Sequence, residues 1–151
     1  MLGFIYQHCL CIGEAMKNKI LAKLKKLQTV DLATCEEDQP RLRPVTLIVK
    51  DGRFFFATGS KDSKTKQLEN NCKAEFCLLI PAKECTGYLR GAGKMKKVEN
   101  PDTRKEVADW AEFIYEYWKE ANDPDYCLFE LELQQIRNME PGDMAETLIE
   151  W

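Results

Sequence analysis

The sequence has one histidine, His8, and little else from which a metal centre could be built. Seven cysteines are present, at 9, 11, 35, 72, 77, 85 and 127, but none form a C-x-x-C pair. His8, Cys9 and Cys11 lie together, yet no second cluster completes a four-ligand set, so no metal site is expected. An odd cysteine count without paired spacings reads instead as free, mostly buried thiols in a reducing cytoplasm. Neither G-x-x-x-x-G-K-[ST] nor G-x-G-x-x-G occurs, which removes the P-loop and Rossmann nucleotide sites. No uncharged run is long enough to cross a bilayer. The apolar stretch 1–15 has no Lys or Arg before Lys17, so it lacks the basic start of a signal peptide. It reads as an N-terminal extension. Net charge is only −3, which gives no general attraction to nucleic acid.

What is present is one domain's worth of chain, 151 residues, 44% apolar and 31% charged. Such a chain buries enough surface to fold without a staple. The charge is unevenly placed. Residues 1–100 carry 18 Lys and Arg against 11 Asp and Glu, while 101–151 carry 4 against 14. A basic front suits an anionic ligand, and complementary faces of a dimer would look the same.

The elements follow from periodicity. Met16, Ile20, Leu24 and Leu27 recur at helical steps, with lysines filling the other face, so a helix with a solvated basic side is expected. Residues 28–35, 41–49 and 53–58 read as strands, and Asp51-Gly52 supplies a tight hairpin between the last two. Residues 64–70 form a short helix after a capping loop. Strands at 74–80 and 86–98 follow, the second punctuated by Gly87, Gly91 and Gly93, which mark bends. Asn100-Pro101 opens a helix whose apolar face is Val107, Trp110, Ala111, Ile114 and Trp118. Residues 126–133 alternate as a strand that 135–139 extend, and 138–151 reads as an acidic tail. The sum is an α+β domain: an antiparallel barrel with flanking helices, spanning 1–151 as a single unit.

The chemistry gathers between Arg41 and Leu68. A strand ends at Thr58, a loop carries Ser60, Lys61 and Ser63, and a helix opens at Lys64. Hydroxyls, ammonium groups and a helix N-terminus together suit a phosphate, although a solvated cap would use the same residues. No nucleophile–base pair stands out, so the catalytic residues are unknown. Tyr88, Trp110, Tyr115, Tyr117 and Trp118 are candidates to line a ligand slot, although helical spacing equally suits core or dimer contacts.

Three runs, in order, carry a resemblance: Gln39-Pro40-Arg41-Leu42-Arg43-Pro44-Val45, then Phe54-Phe55-Phe56-Ala57-Thr58-Gly59, then Ser63-Lys64-x-x-x-Leu68-x-x-Asn71. With Tyr88-Leu89-Arg90-Gly91-Ala92-Gly93-Lys94 they make residues 28–137 resemble the pyridoxamine 5′-phosphate oxidase-like superfamily of FMN-binding split β-barrels. The nearest flavour is the small bacterial flavin-nucleotide-binding and nitroimidazole-resistance-like branch. The resemblance implies FMN as cofactor and a homodimer with flavin at its interface. It assigns Arg43 to the FMN phosphate, Pro44, Val45 and Thr46 to the ring-side strand, Ala57 and Thr58 to the next strand's end, and Lys64 to the phosphate motif. Ser63 stands where that motif has arginine, and Lys61 is a candidate replacement. Tyr88 falls where members place a residue near the flavin. The acidic C-terminus lacks the Arg and His of the vitamin-oxidising members, so that substrate is not expected. The first functional expectation is a flavin-dependent oxidoreductase acting on a small molecule. The alternatives are a non-catalytic flavin-binding or stress-related module, and the same barrel holding haem or a deazaflavin.

Overall fold

The computed structural model describes residues 13–151; His8, Cys9 and Cys11 lie outside them. A helix α1 (13–21) leads into β1 (Leu27–Glu36), β2 (Gln39–Lys50) and β3 (Arg53–Gly59). Then come α2 (Ser63–Asn70), β4 (Lys73–Pro81), β5 (Thr86–Lys97), α3 (Pro101–Trp110), α4 (Ile114–Tyr117), β6 (Tyr126–Met139) and β7 (Thr147–Glu150). Neighbouring strands run in the order β3-β2-β1-β4-β5-β6-β7, and β3 also pairs with β6. Six antiparallel strands therefore close into a barrel, with β7 laid on the free edge of β6. This is the α+β split barrel with flanking helices.

Closure explains a feature of β3. Phe54, Phe55 and Phe56 are consecutive, so strand alternation must send them to opposite faces, yet all three are buried. Phe54 and Phe56 point into the barrel with Val30, Leu32, Leu47, Phe76, Phe129 and Leu131. Phe55 points outward into a second core with Ile48, Val107, Ile114, Tyr126 and Leu128. The helices α3 and α4 cover this outer face. The hairpin between β2 and β3 turns at Asp51 and Gly52, both with positive φ, 51° and 72°. That pair of left-handed residues matches the twist of the flanking strands.

Three local expectations change. The first helix ends at residue 21, and Leu24 packs on the barrel core from the following turn. The helix opened by Asn100, whose side chain accepts the Thr103 N–H at 3.0 Å, stops at Trp110 and resumes as α4. Arg104 braces the segment beyond α4. Its Nε donates to the Ala121 carbonyl at 3.1 Å, and its Nη2 donates to the carbonyls of Asp123 at 3.1 Å and Tyr126 at 2.8 Å. The acidic C-terminal stretch holds a strand, β7, in register with β6 from Gln135 to Asn138. Glu146 fastens it, accepting from Tyr88 and Arg90 on β5 and from Arg137 on β6. Trp151 then packs edge-on to Phe54, ring centroids 5.9 Å apart.

Tyr126 is fully buried, and its hydroxyl has no hydrogen-bond partner among the described residues. Burial also raises its pKa. A buried hydroxyl left unpaired costs desolvation without a return, whereas the ring itself packs on Trp118 at 5.2 Å. Tyr126→Phe should therefore leave the fold equally stable or stabilise it by up to about 1 kcal/mol. Thermal denaturation of the two proteins checks this, and a clear loss of stability would mean the hydroxyl has a partner.

Candidate functional site

A cleft of about 490 Å3 opens on the outer wall of the barrel, where β2 and β3 meet the start of α2. Pro44, Val45 and Thr46 of β2 form one side, and Ala57, Thr58 and Gly59 at the end of β3 form the floor. Phe113, Tyr117 and Trp118, at and around α4, make an aromatic wall. Asp62, Lys64 and Asp125 stand at the polar end. Its size and its mixture of aromatic surface with a few converging polar groups suit a small organic ligand.

The polar end is built by a tight loop. The Ser60 N–H donates to the Asp125 carbonyl at 2.8 Å, and the Thr65 hydroxyl donates to the Gly59 carbonyl at 2.7 Å. Asp62 is the N-cap residue of α2, but its side chain makes no capping bond. It turns back instead. Its Oδ2 accepts from the Thr58 hydroxyl at 2.8 Å, from the Gly59 N–H at 3.2 Å and from Lys64 Nζ at 2.7 Å. The bonds from Lys64 and Thr58 hold its carboxyl below the usual carboxylate range, against partial burial. Asp125 is committed to other partners. One oxygen accepts from the Ser60 hydroxyl at 2.5 Å, and the other from Trp118 Nε1 at 3.2 Å. Those bonds lower its pKa, with a smaller contribution from the charge of Lys61.

Of the ten residues singled out from the sequence, six line this cleft: Pro44, Val45, Thr46, Ala57, Thr58 and Lys64. Lys61 and Ser63 stand on the adjoining loop and first helical turn without lining it. Arg43 is directed elsewhere. Its guanidinium donates to the Thr34 hydroxyl at 2.6 Å, to Gln67 Oε1 at 2.8 Å and to the Leu32 carbonyl at 3.3 Å. Thr34 and Gln67 are buried and bonded to each other, the Thr34 hydroxyl donating to Gln67 Oε1 at 2.7 Å, so Arg43 completes a buried polar network, and burial pulls its pKa down. Tyr88 is bonded to Glu146 at 2.5 Å on the β5–β6 side of the barrel. Among the other aromatic candidates, Tyr117 and Trp118 join the cleft, whereas Trp110 and Tyr115 do not. Phe113, Asp62 and Asp125 were not anticipated. Asp62 belongs in sequence to an ordinary capping loop, and nothing local in the sequence marks Asp125.

A closed antiparallel barrel with flanking helices, bearing a lateral cleft with hydrogen-bond donors at one end and aromatic rings along one wall, defines a protein of the split-barrel class. The chain belongs to the pyridoxamine 5′-phosphate oxidase family, whose model matches residues 16–140. It is 26% identical over 140 residues to general stress protein 26 of Bacillus subtilis (strain 168), covering 89% of this chain and 96% of that protein. A NimC/NimA family protein from Clostridium acetobutylicum has the same fold, with a TM-score of 0.71 and 17% identity over 89% of this chain and 92% of that one. So does a heme binding protein from Mycobacterium smegmatis, with a TM-score of 0.68 and 16% identity over 89% of this chain and 56% of that one. Among the described residues no helix is long and apolar enough to cross a membrane.

Proposed function

We propose that the chain is an FMN-binding protein, a flavin-dependent oxidoreductase of the cytoplasm that acts on a small molecule. The observation that carries this reading is the convergence of three donors, Thr58 Oγ1, Gly59 N–H and Lys64 Nζ, on one anionic oxygen at the end of an aromatic-walled cleft. The oxygen belongs to Asp62, but the donor set is the kind that a phosphate oxygen takes: a hydroxyl, a backbone N–H and an ammonium group. The residues present therefore fit a phosphorylated aromatic ligand. Pro44, Val45 and Thr46 would lie along its ring, Trp118 and Tyr117 would close over it, and Lys64 would offset the phosphate charge. Bound FMN supplies hydride and one-electron chemistry, and the protein supplies orientation and control of water.

The same reading makes the protein a homodimer. Tyr117 is 72% exposed at the cleft mouth, and Leu42, on the strand that forms one side of it, is 69% exposed. A partner covering these groups would bury apolar surface and close the flavin site in one step. Purified protein should show a flavin spectrum, or gain one on adding FMN, with one FMN per chain and the sedimentation of a dimer. A monomer at micromolar concentration with FMN bound would remove the dimer, and failure to retain any flavin would remove the reading. Turnover of reduced nicotinamide with quinone, nitro or heterocyclic acceptors separates an oxidoreductase from a flavin-binding stress-related module without turnover.

A second reading, haem, is favoured by Tyr117, since a tyrosine oxygen at a cleft mouth is a ligand that haem iron accepts. The spectrum distinguishes it directly, and distinguishes a deazaflavin as well.

A further inference from the structure

We propose that Asp62 is a built-in competitor for the ligand's phosphate, and so sets how strongly the cleft favours a phosphorylated flavin over an unphosphorylated one. This rests on the flavin reading of the cleft. The Asp62 carboxylate already holds the three donors that a phosphate oxygen would need, through one oxygen, Oδ2. A phosphate carries up to twice its charge and three acceptor oxygens. The Thr58 hydroxyl and the Gly59 N–H each have one hydrogen to give, so the two anions cannot both hold them, and although the Lys64 ammonium has three, like charges at such a distance repel. Phosphate entry therefore requires the carboxylate to leave.

The fold gives the displaced carboxylate a place to go. Asp62 is at the N-cap of α2 with an extended backbone, φ −64° and ψ 142°, the conformation from which an aspartate normally accepts a first-turn N–H. That capping bond is unmade. The side chain is about half exposed, so it is not locked in its present position by packing. Two positions are thus available: on Thr58, Gly59 and Lys64, or on the first turn of α2. The other carboxylate at this end, Asp125, is not such a device. Its two oxygens are bonded to Ser60 and Trp118, and it accepts no hydrogen bond from any of the three phosphate donors.

The device predicts an effect on only one of two ligands that differ by one phosphate. Asp62→Asn keeps the size and removes the charge, so FMN should bind about tenfold tighter or more, while riboflavin stays within about twofold. Asp62→Ser, which retains a capping oxygen, should shift FMN in the same direction and shows that the helix start has not simply been lost. Flavin fluorescence quenching gives both affinities, and thermal denaturation confirms that each variant is folded. FMN affinity that is unchanged or weaker in both folded variants overturns the proposal and leaves the flavin reading standing. Equal tightening of FMN and riboflavin also overturns it, because the effect would then not act on phosphate. Wild-type protein that takes up neither flavin overturns the reading of the cleft and the proposal with it.

Discussion

Gly93→Ala should cost the barrel about 3–5 kcal/mol, within the range where a single change threatens the fold. The reason is local and steric. A Cβ at residue 93 would fall on the carbonyl oxygen of Glu132, with the carbonyl carbon at 2.8 Å and the Leu133 Cα at 3.0 Å. All three are backbone atoms of β6, the partner strand, so no side chain can turn aside. The register between β5 and β6 shifts at this point: Ala92 faces Gln135 and Gly93 faces Leu133, leaving Gln134 as the extra residue of a bulge. The bulge brings the two backbones together, and only glycine fits. It also has a second task, because the Gln134 carbonyl accepts the Trp151 N–H at 3.0 Å and so fixes the end of the chain. For a domain of this length the loss corresponds to a melting temperature lower by roughly 10 °C or more. Gly13→Ala is the control, since its Cβ meets nothing within 4 Å among the described residues. Circular dichroism melts of both variants decide the matter, and a Gly93→Ala protein melting within about 2 °C of wild type would mean that the bulge relaxes freely.

Gly93 belongs to the part of the fold that can be read from residues alone. A glycine inside an apolar strand, an Asp-Gly between two β-rich runs and an Asn-Pro before an amphipathic stretch each have a local physical meaning. All three kept that meaning in the barrel. What resisted reading depends on distant partners. Residues 147–150 include only one inward side chain, Ile149, in an acidic stretch, so period-two patterning has almost nothing to register. That strand exists because β6 has a free edge there and because Tyr88, Arg90 and Arg137 hold Glu146. The cleft divides the same way. Its strand residues follow one another in sequence, as 44–46 and 57–58, and were legible as a unit. Asp125 and Phe113 arrive from segments more than fifty residues away and carry no local mark of a site. Arg43 shows the converse limit. Its place in the chain suggests a phosphate ligand, but the buried Thr34 and Gln67 oxygens claim its guanidinium, and only the packing of α2 against the barrel reveals them.

With Arg43 engaged at Gln67 and Lys61 on the adjoining loop, Lys64 is the cation that lines the proposed phosphate end, and Lys64→Ala should have the largest effect on ligand affinity. Its ammonium lies 2.7 Å from Asp62 Oδ2, at the point where Thr58 and Gly59 also donate. A charge-assisted hydrogen bond of this kind is worth about 1.5–3 kcal/mol, so FMN should bind roughly ten- to a hundredfold more weakly. Removing the ammonium also leaves the Asp62 carboxylate without its cationic partner, facing the incoming phosphate, which pushes the loss toward the upper end. Riboflavin has no phosphate and should lose little. Lys73→Ala is the matched control, because Lys73 opens β4 beyond the far end of α2 and does not line the cleft. Titration of wild type and both variants with each flavin supplies the six affinities needed. A parallel loss for FMN and riboflavin would show that Lys64 supports the loop rather than the phosphate, since a structural role cannot distinguish the two ligands. A selective loss of FMN, together with tighter FMN in Asp62→Asn, would place the cation and the carboxylate on opposite sides of one equilibrium, with the ligand's phosphate as the third charge.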